Sequence, residues 1–162
     1  MIHESSYIED DVIIGDNTNI WHFVHIRKGA KIGKNCTIGK GVFIDINTTI
    51  GDNCKIQNFA CIYQGVTIGN DVFIGPHVCF TNDIYPRSFI WCDEKLTKTF
   101  VKDGVSIGAN STIVAGITID KYAMIGAGSV VTKNVDDHAL VYGNPAKKQG
   151  QVLKNGNVEW RI

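Results

Sequence analysis

Isoleucine returns at every sixth residue through the first half of the chain, at Ile2, Ile8, Ile14, Ile20, Ile26, Ile32, Ile38, Ile44, Ile50, Ile56, Ile62, Ile68 and Ile74. Phe80 takes the next place and the phase is then lost; Val101, Ile107, Ile113, Ile119, Ile125 and Val131 resume it. Neither a helix nor a simple strand has this spacing, so an internal repeat governs the chain. The residue four places after each of these is small or β-branched, as at Val12, Thr18, Val24, Ala30, Cys36, Thr48, Cys54, Ala60, Val66, Ser111, Ala123 and Ser129. Each repeat therefore sends two side chains inward, a large one to the axis and a small one near a corner. The residue between them points out, as in any strand. Three such repeats close one triangular coil. Successive coils pair as parallel strands about 4.8 Å apart. The pattern predicts an all-β chain, a single-stranded parallel β-helix.

Folding the sequence at three repeats per coil separates three corners. One is plain: Gly15-Asp16-Asn17, Gly33-Lys34-Asn35, Gly51-Asp52-Asn53 and Gly69-Asn70-Asp71. Gly and Asn tolerate the positive φ that tight corners need, so this corner reads as a turn and nothing more. The second carries Trp21-His22-Phe23, Gly39-Lys40-Gly41, Gln57-Asn58-Phe59 and Gly75-Pro76-His77; the third carries Glu9-Asp10-Asp11, Arg27-Lys28-Gly29, Asp45-Ile46-Asn47 and Tyr63-Gln64-Gly65. Both abandon the easy turn residues for aromatics, amides and imidazoles. Such departures from local consistency mark functional surfaces. The face between these two corners is expected to meet a ligand or a neighbouring subunit.

The break between Phe80 and Val101 spends three and a half repeats where one suffices, so about 15 residues leave the coil as a loop at about 81–100. A loop of this length on a rigid solenoid is usually functional. The β-helix is expected over 1–135, and 136–162 as a cap with a short hairpin, Gln151 to Trp160, around Asn155-Gly156. Lys plus Arg and Asp plus Glu are 16 each, which gives no sign of a nucleic-acid or anionic-membrane partner. No apolar run is long enough to span a bilayer. The start, Met1-Ile2-His3-Glu4, lacks the pattern of a signal peptide, and the chain reads as cytoplasmic. The five cysteines show no Cys-x-x-Cys pair and read as packing residues; no metal is expected.

Hexapeptide repeats that end in Gly143-Asn144-Pro145-Ala146-Lys147 resemble the left-handed β-helix acyltransferases, over nearly the whole chain. The left-handed sense is implied by that resemblance, since the general rule for crossovers is right-handed. Three segments resemble more narrowly the N-acetyltransferases of nucleotide-linked 3-amino sugars: Ile20 to Ile26, Lys55 to Asn58, and Phe80 to Asp83 with Pro86-Arg87-Ser88. This resemblance implies acetyl-CoA as co-substrate. It implies a dTDP-3-amino-3,6-dideoxyhexose or a UDP-2-acetamido-3-amino-glucuronate as acceptor, for lipopolysaccharide, O-antigen or S-layer glycans. It also implies a homotrimer with acetyl-CoA in the groove between prisms.

Acyl transfer to an amine needs the amine held near the thioester carbonyl, its proton accepted and the oxyanion steadied. Asn82, in the matching motif, is the first candidate to touch the amine; a plain turn Asn is the alternative. Asp83 either binds the sugar or anchors the loop. His77 is either a general base or a subunit contact, since the leaving thiolate can take the proton itself. His22, His25, Asn58, Tyr63 and Arg87 are candidates for sugar or nucleotide contacts, and Arg87 can instead brace the loop. Ala115, Gly116 and Ala127 offer small corners for the pantetheine arm, with Lys133 and Lys147 for the phosphates; tight turns alone would also explain the small residues. His3 and His138 are expected to do nothing chemical. Other readings of the fold are a sugar or serine O-acetyltransferase, a non-enzymatic structural solenoid, and a three-histidine zinc hydratase. The last fits poorly within one chain, where His22 and His77 are three coils, or about 14 Å, apart.

Overall fold

The computed structural model describes residues 1–159, and Trp160 of the expected hairpin lies outside them. The chain is a left-handed parallel β-helix. Its strands are mostly two residues long, one to each predicted repeat, from Tyr7–Ile8 and Ile13–Ile14 through to Val130–Val131. They form three sheets, the faces of a prism, of seven, six and nine strands. The first face runs from Tyr7 through His25, Phe43, Cys61, Cys79 and Thr112 to Val130 and lies between the two irregular corners.

Strand partners stand three repeats apart, as in Tyr7↔His25 and His25↔Phe43. Across the break the partners are Cys79↔Thr112 and Phe73↔Ser106. Fifteen residues therefore leave the coil, and the coils on either side close as though nothing had been inserted. The isoleucine columns fill the axis, and Ile20, Ile38, Ile44, Ile62, Ile74 and Ile113 have no exposed surface. The small columns close the corners. Thr18 Oγ1 donates to the Gly33 carbonyl at 2.8 Å, and in the next two coils the thiols of Cys36 and Cys54 donate to those of Gly51 and Gly69 at 3.2 and 3.1 Å. These two cysteines take the place of a hydroxyl.

The corners divide their work differently from the sequence reading. The third residue of each turn holds the positive φ: Asn17, Asn35, Asn53 and Asp71 at the plain corner, and Phe23, Phe59 and His77 at the Trp21 corner. Glycine at the first position is there for close approach instead. A Cβ on Gly15 would lie 2.6 Å from the carbonyl carbon of Gly33, and one on Gly75 would lie 2.6 Å from the amide nitrogen of Ala109. The side chains between them link coils: Asp52, Asn70 and Asp103 accept from the backbone N–H groups of Lys34, Asp52 and Asn70 at 2.8, 2.8 and 2.9 Å.

The plain corner loses its regularity near the C-terminal end. Tyr122 takes the positive-φ position there, and its ring stacks on His138 at 5.1 Å. His138 Nδ1 lies 2.9 Å from the Val152 carbonyl, and Lys154 Nζ sits 4.8 Å over the Tyr122 ring. These contacts pin down the terminal strands. Ala139–Gly143 adds to the third face, Ala146–Val152 pairs with it antiparallel, and Val158–Glu159 follows. Ala146 packs against the core.

Among the described residues one buried side-chain oxygen has no partner, the hydroxyl of Thr48. A buried polar group left unpaired costs about 1–3 kcal/mol. Thr48→Val, nearly the same shape, should raise the free energy of urea unfolding by about 1 kcal/mol or more. Ile62→Ala, which empties the axis in mid-column, should lower it by about 2–5 kcal/mol.

Candidate functional site

The loop leaves the third corner at Thr81 and is tied down at its base. Asn82 accepts through its backbone carbonyl from the Thr97 N–H at 2.9 Å, which closes the neck. Glycines above and below receive the returning strand. A Cβ on Gly65 would come within 3.2 Å of Leu96, and one on Gly116 within 2.8 Å of the Thr97 methyl. Both have positive φ. Thr81 and Thr99 accept through their hydroxyls from the Ala115 and Gly116 N–H groups at 2.9 and 3.1 Å.

Asp83 is half-buried in this neck. Its carboxylate meets Lys95 Nζ at 2.9 Å and accepts from the Tyr85 N–H at 2.7 Å. The Lys95 ammonium beside it, then the Tyr85 amide, hold the Asp83 carboxyl below its ordinary range. Of the two readings of Asp83, the anchor is the one its contacts serve; both oxygens are engaged within the loop. The carboxamide of Asn82 makes no hydrogen bond among the described residues. Arg87 is exposed, and its guanidinium donates to the neighbouring Pro86 carbonyl at 2.9 Å. Tyr85 and Phe89 are 78% and 80% exposed, so their rings have little apolar cover among the described residues.

Along the first face an aromatic column rises from Tyr7 through His25 and Phe43 to Tyr63, with centroid spacings of 5.2, 5.5 and 5.7 Å. His25 Nε2 lies 2.9 Å from Glu9. Arg27 bridges Glu9 and Asp45 at 3.4 and 3.0 Å, which makes a ladder of charges along the third corner. The Lys28 amide and then His25 hold the Glu9 carboxyl low. Cys61 and Cys79 follow in register, and burial pushes both thiols up, as suits packing residues. At the Trp21 corner the His22 ring lies tilted against His3 at 3.5 Å, and His77 stacks on Phe59 at 5.2 Å. Asn58 accepts from the Lys40 N–H at 2.9 Å, the same coil-linking contact that Asp52 and Asn70 make at the plain corner, and its amide NH₂ has no hydrogen bond among the described residues.

The predicted residues therefore fall into separate groups. Asn82, Asp83, Arg87, Ala115, Gly116 and Lys133 share the loop corner, whereas His22, Asn58, His77 and Ala127 share the Trp21 corner. His77 and Asn82 flank the two-residue strand Cys79–Phe80 and so lie at opposite edges of the first face. Ala115 is buried and its N–H is taken by Thr81, so that N–H is not open to the pantetheine arm. Lys133 and Lys147, distant in sequence, come together. With Lys148 they rim a cavity of about 300 Å³ at the C-terminal mouth of the prism, floored by Val131, Val135, Ala139 and Val141. Sequence reasoning missed Lys95, Leu96 and the two threonines. Thr99 was within reach, since it stands two places before Val101, where Thr48 and Val66 stand before Ile50 and Ile68.

The family described as bacterial transferase hexapeptide (six repeats) matches residues 11–45, 47–82 and 98–133, and the hexapeptide repeat of succinyl-transferase matches 29–64. This chain belongs to the hexapeptide-repeat acyltransferases. The gap in the match falls on the loop. The hexapeptide-repeat chain is 52% identical over 153 residues to the dTDP-3-amino-3,6-dideoxy-alpha-D-galactopyranose 3-N-acetyltransferase of Aneurinibacillus thermoaerophilus, covering 94% of itself and 79% of that relative. It is 26% identical, with a TM-score of 0.54, to a hexapeptide-repeat acetyltransferase of Vibrio cholerae O1 biovar eltor solved with acetyl coenzyme A, covering 87% and 70%. It shares its fold with PerB of Caulobacter crescentus, solved with CoA and GDP-perosamine (TM-score 0.58, 22% identity); it aligns over 92% of itself and 56% of that longer chain.

The loop neck of this acyltransferase depends on the bare Cα of Gly116. Gly116→Val meets both a positive φ and the Thr97 methyl. Hydrogen exchange of the peptide covering 82–98 should rise at least tenfold in that variant, while peptides from the first coils keep wild-type protection.

Proposed function

We propose that the protein transfers the acetyl group of acetyl-CoA to the 3-amino group of a nucleotide-linked amino sugar, a dTDP-3-amino-3,6-dideoxyhexose before a UDP-2-acetamido-3-amino-glucuronate. The observation that carries this reading is the 52% identity, along nearly the whole chain, to an enzyme named for that reaction. The geometry supports it with an unengaged carboxamide at Asn82, held on a fixed neck. In the reaction the neutral amine attacks the thioester carbonyl. A C–N bond forms, the C–S bond breaks, and the amine proton goes to the departing thiolate. Asn82 holds the amine or the developing oxyanion, by a contact that needs no ionisation. His77 is then a binding or interface residue. Lys133 and Lys147 take the phosphates of CoA.

The working unit in this reading is a homotrimer. The two irregular corners are at opposite edges of one face, so one prism alone cannot bring His22 or His77 to Asn82. A closed three-fold arrangement sets the loop corner of one prism against its neighbour's Trp21 corner. We place the enzyme in the cytoplasm, where five unpaired thiols are at home.

Incubation with acetyl-CoA and a panel of nucleotide-linked amino sugars should release free thiol. Turnover with a hydroxyl acceptor and none with any amine would replace this reading with an O-acetyltransferase. Asn82→Ala should lower kcat about 100-fold, the scale of one lost oxyanion donor. His77→Ala should change it far less. The reverse order would make His77 the general base, whose removal costs about 10²–10⁴-fold.

A further inference from the structure

Lys95 lies on the returning limb of the loop, in the short 3₁₀ turn Asp93–Lys95, and no motif of the chain includes it. Its ammonium makes two contacts: 2.9 Å to Asp83 Oδ2 and 2.8 Å to the Tyr85 carbonyl. Asp83 in turn accepts from the Tyr85 N–H at 2.7 Å. The peptide of Tyr85 is thus gripped at both ends, and the two gripping groups hold each other. Their side chains are only 19% and 10% exposed, far below the 65% and 73% of the ordinary surface pair Lys28–Asp11. The Thr97 N–H to the Asn82 carbonyl closes the same neck one residue away. Ile84 and Thr97 face bare Gly116, and Leu96 faces bare Gly65. The excursion therefore has two parts, a fixed neck of 82–85 with 95–98 and an exposed lobe of 86–92.

We infer that Lys95 is a positioning residue for Asn82: by clamping Asp83 and the Tyr85 peptide it fixes the neck so that the Asn82 carboxamide is presented to the reacting amine. This rests on the function proposed above and adds to it a residue that touches no substrate. A carboxamide one peptide bond from the clamp cannot keep its direction when the clamp opens. Misplacing a contact group by about 1 Å can cost on the order of 100-fold in rate.

A double-mutant cycle tests this. In the wild-type background Lys95→Met should lower kcat at least tenfold and leave KM for acetyl-CoA within twofold. In the Asn82→Ala background the same change should matter less than twofold, because the side chain it positions is gone. Lys95→Arg, which can still donate to both Asp83 and the Tyr85 carbonyl, should keep more of the rate than Lys95→Met. Equal losses in both backgrounds, or no loss in either, would overturn the inference. Hydrogen exchange of the peptide covering 82–98 is read alongside. Lys95→Met should raise it, and unchanged protection would also overturn the inference. Were the wild type to turn over no amino sugar, the proposed function would fall, while exchange would still decide whether Lys95 holds the neck.

Discussion

Every coil hands its backbone hydrogen bonds to the next, and this stacking constrains all else in the molecule. Each short strand cannot persist alone; it exists because a strand one coil earlier and another one coil later satisfy its N–H and C=O groups. The inward columns follow from it. In-register pairing puts like on like, so isoleucine stacks on isoleucine along the axis, and one residue out of phase would expose a whole column. Close coil-to-coil contact at the corners has the same origin, and it explains why glycine recurs where φ is negative.

That constraint made most of the fold legible in sequence. The period gave the three faces, and the resumption of phase at Val101 gave the length of the excursion. What the period could not give was the division of labour within a turn. Gly and Asn look alike as turn formers, yet Asn17 supplies the left-handed backbone and Gly15 supplies room. The pinning of the tail on Tyr122, His138 and Lys154 also escaped notice, because the plain corner looked uniform in the first four coils.

The candidate site was legible only in part, for a related reason. Residues within a repeat have neighbours fixed by arithmetic; residues within the loop do not. Asn82 and Asp83 could be named from a motif, but their different situations, one carboxamide unengaged and one carboxylate fully committed, depend on Lys95, whose position no period sets. Likewise Lys133 and Lys147 meet only because the last strands fold back over the mouth of the prism. The histidines of the Trp21 corner stand across the face from Asn82, so within one chain they do not meet it.

The excursion at Thr81 has a wider consequence. Because the coils close across it in register, the scaffold does not register how long the insert is, and the cost of lengthening such a segment grows only with the logarithm of its length, about 0.6 kcal/mol per doubling. The lobe from 86 to 92 is thus an interchangeable part. Lineages built on this prism can lengthen, shorten or replace one exposed stretch, with the repeat that supports it left untouched.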